Sequence, residues 1–150
     1  MLHLATDVSY EHPVVSCGYV LTKATGGSER LIEMGSRVFN TEHDDRDIEW
    51  GSARGEYRAL ITGVRAALDY DESAILCHVD HQSLVTAVRH VCRDDYESYF
   101  RHALMSFLGR FDEWRISRVN RGRNEAAHTQ ARAGLKASQE YLDTEAMEAP

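Results

Sequence analysis

Ser52-Ala53-Arg54-Gly55-Glu56-Tyr57-Arg58-Ala59-Leu60-Ile61-Thr62-Gly63-Val64-Arg65-Ala66-Ala67-Leu68 is where the chain changes its period. Leu60, Ile61, Val64, Ala67 and Leu68 fall at i, i+1, i+4, i+7 and i+8, an apolar stripe that a helix buries against a sheet. Ser52 is placed to cap that helix, its hydroxyl accepting an orphan amide proton of the first turn. Upstream the period is two. Residues 2–6 form a short apolar strand ended by Asp7, and two longer strands are predicted over Val14–Lys23 and Arg30–Asn40. Between them Thr25-Gly26-Gly27-Ser28 reads as a tight hairpin turn, because glycine supplies the positive φ such turns need.

Downstream, Ala74–Val79 reads as a buried strand stopped at Asp80. Two amphipathic helices follow, one with Leu84, Val85, Val88, Val91 and Cys92 on its apolar face, the other with Phe100, Leu104, Phe107, Leu108 and Phe111. Trp114–Asn120 is a weaker strand candidate, Arg121-Gly122-Arg123 a turn, and Asn124 the cap of a last helix whose inner face is Ala127, Ala131, Leu135 and Leu142. The order βββαβααβα implies an α/β fold, a mixed sheet with helices on both faces. Residues 1–142 are expected to form one domain and 143–150 a flexible acidic tail.

The composition agrees with a single domain: 150 residues, 43% hydrophobic and 27% charged. Seventeen basic against 24 acidic groups give a net charge of −7, which at face value argues against a phosphate-rich partner. The charge is unevenly spread, however. Thr41–Trp50 is an acidic loop, whereas residues 101–136 carry eight basic and three acidic groups. Cys17, Cys77 and Cys92 are odd in number and far apart, so they read as buried thiols of a cytoplasmic protein. No segment is long and apolar enough for a membrane span. A zinc site built from Cys77, His78, His81, Cys92 and His102 matches no zinc-ligand spacing, and neighbours on one strand point to opposite faces.

Acids that interrupt apolar elements are more telling than acids in loops, because a carboxylate at the edge of a core costs desolvation unless a cation offsets it. Asp7, Glu56 and Asp80 are of this kind. His128 joins them from the first turn of the last helix. Singly, each has an ordinary explanation: a turn residue, a helix-dipole partner, a cap of the following helix, a packed histidine. Together they lie at ends of elements that one sheet brings to a single edge.

In order and spacing, Asp7-Val8-Ser9, Gly55-Glu56-Tyr57-Arg58-Ala59-Leu60, Val79-Asp80-His81-Gln82-Ser83-Leu84-Val85 and Asn124-Glu125-Ala126-Ala127-His128-Thr129-Gln130-Ala131 resemble type 1 ribonuclease H over about residues 2–136. The resemblance implies a five-stranded mixed sheet and hydrolysis of the RNA strand of RNA/DNA hybrids by two divalent ions, Mg²⁺ or Mn²⁺, roughly 4 Å apart. It makes Asp7, Glu56, Asp80 and His128 the metal ligands and catalytic residues. It further implies that Gln82 touches the hybrid's minor groove, that Ser9 and Ser52 meet the backbone, and that Arg118, Arg121, Arg123 and Asn124 belong to the substrate surface, with double-stranded RNA as a second possible partner. A monomer without a small-molecule cofactor is expected.

Three departures from the family matter. His128 stands where the best-known members have an aspartate, which predicts a bias toward Mn²⁺, since imidazole is a softer donor than carboxylate. The loop Asn120–Asn124 lacks the histidine many members carry, so slower turnover is expected. The Lys-rich handle is absent, since only Arg93-Asp94-Asp95-Tyr96 separates the two middle helices. These departures keep open an alternative of another class, a weakly active or inactive binding or interaction module.

Overall fold

The computed structural model describes residues 1–41, 53–89 and 95–148. Five strands, β1 (Leu2–Glu11), β2 (Val14–Thr25), β3 (Ser28–Asn40), β4 (Ala74–Val79) and β5 (Glu113–Arg118), form one sheet in the order β3-β2-β1-β4-β5. The hairpin strands pair antiparallel, while β4 runs parallel to both β1 and β5. The helices are α1 (Ala53–Ala67), α2 (Gln82–Arg89), α3 (Asp95–Leu108) and α4 (Glu125–Glu148), the last entered through a 3-10 turn at Arg121–Asn124. The α/β class, the mixed sheet and the element order expected from the sequence are therefore present.

Even-numbered positions of β1 (Leu2, Leu4, Thr6) are buried with the stripe Tyr57, Leu60 and Val64 of α1, and α2 and α3 close the same core through Leu84 and Leu104. The opposite face of β1, β2 and β3 is covered by α4, which buries Ala127 and Ala131 there. Cys17 and Cys77 are both buried, and burial pushes each thiol up to about 12; Cys92 lies outside the described residues.

Several boundaries differ from the reading of periodicity. β1 does not end at Asp7 but continues to Glu11, because only its parallel pairing with β4 stops at Ala5, while its ladder to β2 runs on from Thr6↔Tyr19 to Glu11↔Val14. The hairpin strands reach Thr25↔Ser28, leaving Gly26 and Gly27 as a two-residue loop with φ of 59° and 88°. β5 ends at Arg118, not Asn120, although the Val119 amide still donates to the Val79 carbonyl at 2.9 Å. Helix α4 continues through 143–148, where Glu, Ala and Met favour helix even without an apolar stripe. Asn124 is not the helix cap: it closes the 3-10 turn with its side chain buried against β1. The acidic loop, from Glu42 on, and the expected N-cap Ser52 lie outside the described residues.

Candidate active site

Asp7 sits on β1 two residues beyond the last β1–β4 pair, where β4 no longer accompanies it, and its side chain belongs to the α4 face of the sheet. There His128, in the first turn of α4, donates from Nδ1 to Asp7 Oδ2 at 2.7 Å. The two side chains are about one third and one sixth exposed, so the pair is open to solvent on one side. In the neutral ring a donor at Nδ1 leaves the lone pair on Nε2.

Glu56 occupies the first turn of α1, as the sequence predicts, but is buried, with only 7% of its surface exposed. Its Oε2 has no hydrogen-bond partner among the described residues. Burial first, then the negative charges of Asp7 and Asp80, push its carboxyl up to about 8. A carboxyl this deep, flanked by two further carboxylates, is costly to ionise unless positive charge lies nearby.

Asp80 directly follows β4. It is not the cap of α2, because that position belongs to His81, whose Nδ1 accepts from the Leu84 amide at 3.3 Å and from Ser83 Oγ at 2.9 Å. The structure thus brings Asp7 and His128 into contact and sets Glu56 within electrostatic reach of Asp7 and Asp80. Among the described residues no three His, Cys, Asp or Glu side chains are drawn tightly enough together to enclose an ion as placed. The donor set, carboxylates plus one imidazole with an unpartnered buried oxygen, nevertheless suits a hard or borderline divalent cation.

Of the expected substrate residues, Ser9 lies on β1 two positions past Asp7 and is partly exposed. Gln82 begins α2, where its Nε2 donates to Thr86 Oγ1 at 3.2 Å on an exposed surface. Arg118 is the exposed end of β5. Arg121 and Arg123 lie in the turn before α4. Asn124 is only 1% exposed, so its side chain faces β1 and not a substrate, and its Nδ2 donates to the Thr6 carbonyl at 2.8 Å. Asn124 therefore pins the start of α4 beside Asp7. Asn124→Ala should cost about 1 kcal/mol and lower Tm by roughly 2–4 °C; an unchanged melting curve would show the bond to be idle.

Sequence reasoning missed a basic, aromatic cavity of about 220 Å³ between β3, α1 and α3, lined by Arg37, Phe39, Arg58, Arg65, Tyr99 and Phe100 among others. The Arg58 guanidinium lies over the Phe39 ring at 4.5 Å, and Arg37 lies over the same ring at 5.1 Å. The available signal was Arg58 and Arg65 two turns apart on α1. Of the residues weighed for zinc, Cys77 is buried in the core and His78 stacks on His3, with His3 Nδ1 and His78 Nε2 3.0 Å apart.

This strand order, with helices on both faces and acids at the carboxyl end of the parallel strands, is the architecture of the ribonuclease-H-like superfamily. Residues 47–134 match the model of the Reverse transcriptase-like family, and the chain belongs to that family. No curated protein matches it. Among solved structures it is similar to ribonuclease H1 from the halophilic archaeon Halobacterium salinarum, with 24% identity over 91% of this chain and 98% of that one and a TM-score of 0.74. It is also similar to the N-terminal ribonuclease H domain of a Mycobacterium tuberculosis protein, with 14% identity, coverage of 94% and 97%, and a TM-score of 0.71. A third is LC11 ribonuclease H1 in complex with an RNA/DNA hybrid, with 12% identity, coverage of 87% and 93%, and a TM-score of 0.68. At these identities the likeness establishes the fold.

Proposed function

We infer that the protein is a metal-dependent endoribonuclease that hydrolyses the RNA strand of RNA/DNA hybrids. The observation that carries this reading is the convergence of four elements, β1, α1, β4 and α4, on one sheet edge: His128 bonded to Asp7 at 2.7 Å, and a buried Glu56 whose carboxyl feels both Asp7 and Asp80. Asp7, Glu56, Asp80 and His128 are the proposed ligands, His128 replacing a carboxylate. Two divalent ions bound there would activate water and neutralise charge on the scissile phosphate.

The chain's own residues supply the rest. Asp7 anchors the site from β1, the central strand of the sheet. Glu56 contributes a carboxylate whose cost of ionisation falls only when positive charge arrives, coupling its readiness to cation binding. His128 keeps its Nδ1 proton on Asp7 and so holds both side chains in one orientation. Gln82 and Ser9 would meet the substrate beside the acids. Arg37, Arg65 and Arg118 offer phosphate contacts without a Lys-rich handle, each salt-sensitive.

One observation favours the alternative of a binding module with little activity: the His128 bond occupies Asp7 Oδ2, an oxygen the site would need. A hybrid-cleavage assay in Mg²⁺ and in Mn²⁺ separates the two readings. Cleavage by the wild type and a loss of about a thousandfold in Asp7→Asn, on the scale of removing a principal electrostatic group, are expected. No cleavage in either metal sinks the nuclease reading.

A further inference from the structure

We propose that Gly18 is a positioning residue of the active site, setting the distance between α4 and the sheet at which His128 reaches Asp7. The inference rests on the ribonuclease reading for its functional meaning and on packing alone for its geometry.

Gly18 is the direct cross-strand partner of Asp7 in the β1–β2 ladder, so the two share the α4 face of the sheet. A Cβ at Gly18 would stand 2.3 Å from the carbonyl oxygen of Ala127 and 2.4 Å from the amide nitrogen of Ala131. Those two atoms are the i and i+4 ends of one helical turn, and His128 follows Ala127 directly. The contact is backbone against backbone. No rotamer change can relieve it, so any side chain at position 18 moves the helix itself.

The need for glycine here is purely spatial. Gly26 and Gly27 are the described glycines with positive φ, so the backbone at Gly18 is one that alanine could adopt. What alanine could not keep is the approach of α4, and the part of α4 it would lift is the turn bearing His128. Gly134, two turns further along α4, also touches the sheet closely, but its hypothetical Cβ meets side chains and not helix or strand backbone: the hydroxyls of Ser36 and Ser16, which can turn aside, and Ser36 Cβ at 2.9 Å, which must shift a little. The two glycines therefore form a matched pair, one beside the site and one remote from it.

The test titrates MnCl₂ alone into the full chain by calorimetry, with melting curves and hybrid-cleavage kinetics alongside. Gly18→Ala should weaken Mn²⁺ binding by about tenfold or more, the scale at which supporting contacts govern metal sites, and lower kcat while leaving KM for the hybrid unchanged. Gly134→Ala should lose stability yet bind Mn²⁺ as the wild type does. Wild-type Mn²⁺ affinity in a folded Gly18→Ala protein would overturn the proposal, as would equal weakening in Gly134→Ala at a matched loss of Tm. Should Gly18→Ala not fold, Ala131→Ser thickens the same buried contact from the helix side and carries the same pair of outcomes. If the wild type cleaves no hybrid, the ribonuclease reading fails, and the Mn²⁺ comparison still decides the placement of His128.

Discussion

Glu56→Gln is expected to abolish hybrid cleavage in either metal and, at the same time, to make the metal-free protein more stable than wild type at alkaline pH. The two effects have one cause. Glu56 is buried beside Asp7 and Asp80, and its carboxyl is raised from 4.5 to about 8, so the folded metal-free chain holds a proton there that the unfolded chain releases above the ordinary carboxylate range. A raised folded-state pKa contributes stability that is fully present below pH 4.5 and is lost progressively as pH rises to about 8. The full loss has an upper bound of about 5 kcal/mol, at 1.36 kcal/mol per pH unit. Glutamine carries no ionisable group, so this slope vanishes in the variant.

Urea midpoints of both metal-free proteins from pH 5 to pH 9 measure the difference directly. The wild-type curve should fall relative to that of Glu56→Gln across this window. Adding Mn²⁺ should flatten the wild-type curve, since a bound cation stabilises the ionised carboxylate. Parallel curves would mean that the carboxyl is ordinary in solution and that the electrostatic argument for the site is wrong.

The fold was legible because its signals are local and repeated. The period-two runs, the Gly26-Gly27 turn and the stripe Leu60–Leu68 each specify one element, and their order leaves few topologies. The candidate site was legible through its cost, since acids at the ends of apolar segments need a reason to be there. Less legible were features that depend on two distant segments at once. Asn124 has the composition of a helix cap, and only the position of Thr6, far away in sequence, shows that its amide turns inward. Asp80 had the same ordinary explanation, and the neighbouring His81 turned out to be the cap. Gly18 carries no local signal at all, because its φ is unremarkable and its constraint comes from the backbone of α4. The charge of −7 conceals a basic cluster for a similar reason: Arg37, Arg58 and Arg65 are scattered among acids in the sequence and gather only across β3 and α1.

His128→Asp is expected to raise Mg²⁺-supported cleavage by about tenfold, on the scale of a change in metal-site coordination, and to lower the ratio of Mn²⁺ to Mg²⁺ activity. The imidazole now plays two parts. It donates a hydrogen bond to Asp7 Oδ2 at 2.7 Å, and in the proposed site it would thereby withdraw one oxygen from an incoming cation while offering a nitrogen ligand that suits Mn²⁺ better than Mg²⁺. Aspartate removes the donor, returns the Asp7 oxygen and adds a hard oxygen ligand. It also places a further negative charge beside Asp7, Glu56 and Asp80, so the metal-free variant should melt lower than wild type and recover more on adding Mg²⁺. The melting difference separates an effect on the site from a general gain in activity, because a general gain would not make stability more dependent on metal. Equal rates for both proteins in both metals, with the same metal-induced rise in Tm, would show that His128 acts as an ordinary packed side chain and that the acids work without it.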